Sequence, residues 1–140
     1  MLILNLLAVW RAHGLEAILR EAHANGVVLC GLSAGALCWF EAGVTDSFGP
    51  TLSALHDGLG LLPGSHCPHY DGEPGRRPTY HRLVAEGMPA GYGVDDGCAL
   101  HFVGRSLHRA VASRRGAGAY RVELRDHTVQ ETPIDVTCLV

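Results

Sequence analysis

The chain has 140 residues, of which 47% are hydrophobic and 18% charged, a composition that folds into one globular domain and excludes a disordered polymer. Its formal net charge is −3, and its arginines form only short pairs such as Arg76-Arg77 and Arg114-Arg115, so no basic stripe invites nucleic acid. Five scattered cysteines, odd in number and without a C-x-x-C pair, read as reduced thiols of a cytoplasmic protein.

In chain order, "MLILNLLAVWR" is apolar but is interrupted by Asn5 and ended by Arg11. That is far short of the ~20 residues that cross a bilayer, and it lacks the features of a signal peptide, so no membrane association is expected. "NLLAVWRAHG" predicts a short helix stopped at Gly14, and "LEAILREAHANG" a second helix with Leu15, Ile18, Leu19 and Ala22 on one face. The β-branched run "VVLCGL" predicts a strand buried on both faces, and "SAGALCWFEAG" a helix ending near Gly43. From Val44 to Gly64 the composition is that of a loop, followed by a strand end at "SHCPHYD" and a helix over "RPTYHRLVAEG". "AGYGVDDGCALHFVG" predicts two strands separated at Asp96-Gly97. "LHRAVAS" and "AYRVELRDHTVQETPI" predict closing strands with a hairpin loop at Arg125-Asp126-His127. The alternation of helices and strands predicts an α/β layer fold with a mostly parallel central sheet flanked by helices.

One short stretch carries chemistry. Gly31-Leu32-Ser33-Ala34-Gly35 satisfies G-x-S-x-G between an expected strand and an expected helix. A serine on such a turn projects its hydroxyl outward, with the Ala34 amide placed to stabilise an oxyanion. The plainer reading is a helix N-cap, a position serine favours. A nucleophilic serine needs a base. Of nine histidines, His66 and His69 lie in a loop-like segment where functional groups concentrate, and Pro68 stiffens the backbone before His69; His81 is the competitor in the next helix. The orienting carboxylate is Asp95 or Asp96. Adjacent strand residues point to opposite faces, so at most one of them faces the histidine. His66, Cys67, His69 and Asp71 also suggest a metal, but no second cluster with ligand spacing accompanies them.

Taken together, "LAVWRAHGL", "GVVLCGLSAGALCWFEAGVTDSFGP", "LGLLPGSHCPHYDGEPGRRPTYHRLV" and "GYGVDDGCALHF" resemble the peptidase E family of serine peptidases, the aspartyl dipeptidase group, with the cyanophycinases as more distant members. The resemblance implies a fold like the class I glutamine amidotransferase domain. It also implies Ser33 as nucleophile, His69 of a Pro-His motif as base, and Asp96 before Gly97 as the third member, where the best-known members have Glu. No cofactor or metal is implied. The substrate is a short peptide, and Arg77, with Arg76 second, falls where members that cut after an N-terminal aspartate pair with that side chain. The order Ser, His, acid separates this pattern from the α/β-hydrolases. The family's chain begins with further strands and a Gly-Gly-Asn-Thr-like loop that supplies a second oxyanion donor. The present chain therefore corresponds to roughly the C-terminal two-thirds of the family domain, as a single unit over residues 1–140. An exposed sheet edge, self-association and reduced turnover are the expected consequences. The rival readings are a cyanophycinase-like exopeptidase and an inactive fragment that serves as a binding or assembly module.

Overall fold

The computed structural model describes residues 2–140, and side chains from Ile3 onward. Apolar residues at helical spacing make the first element, α1 (Leu2–Ala12), which buries Ile3 and Leu7 and then turns at His13-Gly14. Helix α2 (Leu15–Ala24) follows as the sequence predicts, but none of its residues is buried. Its apolar face is only half covered.

The next two expectations are corrected. Residues 27–31 are not a strand: they run as irregular, mostly exposed chain, with Val28 87% exposed. Among the described residues no strand lies beside this run, so its amides and carbonyls have no ladder to join. The helix expected to reach Gly43 is the single turn α3 (Ala34–Leu37), and the chain then enters strand β1 (Phe40–Thr45). Tertiary pairing overrides the local pattern here, because β1 occupies a central place in the sheet with Ala42, Val44 and Thr45 buried.

Strand β2 (Ser53–Leu55) and the first half of β3 (Leu62–Cys67) emerge from the stretch expected to be loop, while residues 65–67 fall where a strand end is expected. Helix α4 (Arg76–Ala85) and strands β4 (Gly91–Val94), β5 (Cys98–Val103), β6 (Ser106–Ala112), β7 (Ala119–Arg125), β8 (Thr128–Ile134) and β9 (Val136–Cys138) complete the chain. The hairpin loop between β7 and β8 is the pair Asp126-His127, both at positive φ, as a two-residue turn that matches strand twist requires.

The fold is α/β. A six-stranded sheet has the order β2-β1-β3-β4-β7-β8, and a smaller sheet has the order β5-β6-β9. Within the six-stranded sheet parallel pairing is confined to β1, β3 and β4; β2, β7 and β8 join antiparallel, so this sheet is mixed rather than mostly parallel, and in the smaller sheet β6 pairs parallel with β9 and antiparallel with β5. The cause is connection length. A two-residue hairpin can only return the chain antiparallel, whereas parallel neighbours need a crossover, which α4 supplies between β3 and β4.

Helix α4 packs Tyr80, Leu83 and Val84 onto Val44, Cys67 and Val122 on one face of the sheet. The Tyr80 hydroxyl meets Ser65 Oγ at 2.7 Å inside that layer, so its polar end is satisfied. Helices α1 and α3 share a second cluster with Leu55 and Leu59. Val94, Ala110 and Ala119 form a third, between the two sheets. No helix among the described residues is long and apolar enough to cross a membrane.

Candidate active site

The three parallel strands end at the same edge of the sheet. Cys67 of β3 pairs in register with Gly93 of β4, and Gly43 of β1 with His66 of β3. The residues just past each strand therefore emerge side by side, and this is where open sheets of parallel strands place their functional groups. His69 stands two residues beyond β3 and Asp96 two beyond β4. Ser33 precedes α3, whose C-terminal residues lead directly into β1.

Ser33 holds φ 53° and ψ −118°, a conformation that side chains rarely adopt. Small neighbours permit it: a Cβ on Gly31 would run into the Gly35 carbonyl. The Ser33 carbonyl accepts hydrogen bonds from the amides of Ala36 and Leu37 at 3.0 and 2.9 Å, which locks the turn to α3. Its hydroxyl caps nothing. The N-cap expectation is therefore met by the backbone position alone.

The side chain of Ser33 turns to His69 instead. Ser33 Oγ lies 2.8 Å from His69 Nε2, and His69 Nδ1 lies 2.7 Å from Asp96 Oδ1. An ionised carboxylate only accepts, so Nδ1 carries the proton of the neutral ring and Nε2 is the acceptor for the serine hydroxyl. His69 also has positive φ, 55°, and its neighbour Tyr70 donates its backbone N–H to the Val94 carbonyl at 3.1 Å. The Ala34 amide, at the first position of α3, makes no hydrogen bond among the described residues.

Asp95 and Asp96 separate as strand neighbours should. Asp95 is buried and accepts the Gly118 amide at 2.8 Å; burial raises its pKa against the lowering effect of that bond. Asp96 points the other way, to His69. His66 is also buried, with its ring stacked on Phe40 and Nδ1 3.3 Å from the Tyr92 carbonyl, and burial pushes its pKa down to about 4. His81 lies elsewhere, on Glu131 and the Tyr70 hydroxyl. No group of three or more metal-ligating side chains converges among the described residues; of the four considered, His69 and Asp71 both engage Asp96.

The two arginines part company. Arg77 pairs with Glu131 and lies over the rings of Tyr70 and Tyr120, and it lines neither cavity that reaches Ser33. Arg76 is 5% exposed, donates to Glu73 at 2.7 Å and to the Val44 carbonyl at 3.1 Å, and lines a small cavity of about 160 Å³ together with Ser33, Thr45 and Ser47. Of the two, Arg76 and not Arg77 shares a cavity with Ser33. Local sequence could not reveal this, because consecutive positions at a helix start differ by ~100° in direction. On the other side of Ser33 opens a groove of about 880 Å³, walled by Val28, Leu32, Phe40, Leu100 and Phe102.

Comparison with known proteins follows the same line. The model of peptidase family S51 matches residues 3–110. The chain is similar to an uncharacterized peptidase, YgaJ, of Bacillus subtilis (strain 168), at 55% identity over 136 residues; that alignment takes in 96% of this chain and 58% of the relative. The chain thus spans less than two thirds of the length of the relative it matches. With more than half of its residues inside the family match, the chain belongs to peptidase family S51, the family of peptidase E.

Proposed function

We propose that this chain carries the nucleophile of a serine-type peptidase that hydrolyses short peptides, dipeptides foremost, through an acyl-enzyme on Ser33. The observation that carries the reading is the unbroken line of hydrogen bonds from Ser33 Oγ through His69 to Asp96, at 2.8 and 2.7 Å. His69 Nε2 takes the serine proton as Oγ attacks the scissile carbonyl, and the Ala34 amide donates to the oxyanion. On collapse the C–N bond breaks and His69 returns the proton to the leaving amine. Water, deprotonated by the same imidazole, then releases the acid and restores Ser33. Asp96 holds the ring in the tautomer that accepts at Nε2 and stabilises its cation.

The small cavity supports a substrate side chain of modest size, being below the ~300 Å³ at which ordinary ligand clefts begin. Arg76 on its wall is the cation that an N-terminal aspartate would use, in exchange for its present partner Glu73, which lines the same cavity with Asp46. The apolar walls of the larger groove do not suit an aspartate–arginine polymer, which sets the cyanophycinase-like reading second. All five cysteines are free, in keeping with a reducing, cytoplasmic compartment.

The test is intact-mass labelling with a fluorophosphonate beside Ser33→Ala and His69→Ala. A single adduct on the wild type, absent from both variants, is expected. A folded wild type that takes no adduct would sink the reading and favour an inactive module. For substrate class, Arg76→Lys is expected to lower kcat/KM for an Asp-leading dipeptide roughly 10–100-fold more than for an Ala-leading one, the size of a charged hydrogen bond. An equal loss on both would remove the assignment.

A further inference from the structure

Asp96 is an unusual partner for a base, since its side chain is 54% exposed and it sits on a turn. A carboxylate so placed has rotamers to explore and water to bond, and its aim at His69 needs fixing from outside. Two residues that belong to neither the nucleophile nor the base supply this. Asp71 Oδ1 accepts the backbone N–H of Asp96 at 2.9 Å. Arg114 Nη2 donates to Asp71 Oδ2 at 2.6 Å and to the Asp96 carbonyl at 2.9 Å, and Arg114 Nε donates to the same carbonyl at 3.2 Å. Both backbone polar groups of Asp96 are thereby held, one by each member of an ion pair.

The arrangement is tight around the carboxylate as well. A Cβ on Gly72 would run into Asp96 Oδ2, so the carboxylate lies directly against this turn and would have to shift to admit a side chain there. Asp71 and Gly72 are the second and third residues after His69, so the turn that carries the base also grips the acid. Arg114 comes from the connection between β6 and β7, which is itself pinned to the Asp96 corner: Ser113 N–H donates to Gly97 O at 2.8 Å, and Asp95 N–H to Gly118 O at 3.0 Å. The corner is where the chain leaves the large sheet for the small one, between β4 and β5. Burial works to raise the Asp71 pKa, but the Asp96 amide and the Arg114 guanidinium outweigh it, so the carboxylate stays below its ordinary range and charged at neutral pH.

We propose that Asp71 and Arg114 are positioning residues: an ion-pair clamp that fixes the Asp96 backbone and so directs its carboxylate onto His69 Nδ1. The proposal rests on the reading of Ser33, His69 and Asp96 as one catalytic line, and its test separates the two. Wild-type chain, Asp71→Ala, Asp71→Asn and Arg114→Ala are compared by fluorophosphonate labelling rate and by the downfield proton signal of His69 Nδ1–H, assigned by its loss in His69→Ala. Asp71→Ala is expected to slow labelling on the order of 10²-fold, the effect of a misplaced catalytic group, and to abolish the signal. Asp71→Asn, which keeps the acceptor for the Asp96 amide, is expected to recover labelling to within about 10-fold of the wild type and to restore the signal. Should Asp71→Ala fail to fold, Arg114→Ala, whose side chain is half exposed, decides on the same two readouts, with signal and rate both reduced. Wild-type rate and signal in a folded Asp71→Ala would overturn the clamp. A wild type that shows the signal but no label defeats the peptidase reading alone, and the signal in Asp71→Ala still decides the clamp. A wild type with neither overturns both.

Discussion

Among the described residues four other than glycine hold positive φ, and two of them, Ser33 at 53° and His69 at 55°, are the pair that share a hydrogen bond. Such conformations cost of order 1–3 kcal/mol each and persist where the surroundings over-determine them. Ser33→Gly should therefore raise the thermal midpoint by a few degrees while removing the proposed nucleophile, which a melting curve beside the labelling assay would check. Asp96→Asn keeps the shape but presents a donor or the wrong tautomer to His69, and a fall in labelling rate of about 10⁴-fold is expected. His66 gives a pH effect of definite sign. Its folded pKa is depressed to about 4 from an ordinary 6.5, so the unfolded chain binds more protons between those values and stability falls as pH drops from about 6.5 toward 4. Thermal midpoints across that window should decline in the wild type and flatten in His66→Phe, relative to each other, since carboxylates titrate equally in both.

At the level of elements, helix α4 is held to strand β8 by one carboxylate. Glu131 accepts from Arg77, from the Tyr70 hydroxyl at 2.5 Å and from His81 Nε2 at 2.8 Å. Tyr70 in turn follows His69, so the tie reaches His69 through a single peptide. Glu131→Ala leaves the buried Tyr70 hydroxyl only His81 Nε2 as a partner and should cost roughly 1 kcal/mol in urea unfolding; Glu131→Gln, which keeps an acceptor, should cost less. A loss below ~0.5 kcal/mol would show that water replaces the carboxylate. Helices α1 and α2 were legible because their apolar spacing and stops are local signals, and α4 because Pro78 suits a first turn and Gly87 a stop. The run from Phe40 to Thr45 was not. Its sequence "FEAGVT" has too little periodicity to distinguish helix from strand, and its place between β2 and β3 decides the matter.

For the molecule as a whole, the apolar segment 27–32 is the feature without cover. Val28 and Leu32 are 87% and 89% exposed, and they wall the larger groove. Exposed apolar surface of this kind drives association, so concentration-dependent light scattering is expected from the purified chain. A Val28→Asp, Leu32→Asp double variant should scatter as a smaller species with an unchanged thermal midpoint, because neither side chain contributes to the core. A wild type that stays monomeric at all concentrations would mean that the segment folds back onto its own groove.

The sequence by itself carried the G-x-S-x-G motif at Ser33, the Pro68-His69 pair, the acid-glycine step at Asp96-Gly97 and the family, because each is a short motif recognised by residue type and order. Read from the residues alone it left Asp95 and Asp96 as alternatives until the resemblance pointed to Asp96, and it ranked Arg77 above Arg76. Only the tertiary structure shows where these side chains lie: Asp96 on His69, Asp95 on the Gly118 amide, Arg76 on the cavity at Ser33, and Asp71 paired with Arg114. Side-chain direction at adjacent positions and contact between residues as far apart as Asp71 and Arg114 follow from strand register and the path of the chain between two sheets. Those are properties of packing over long separations, and no local pattern of residues encodes them.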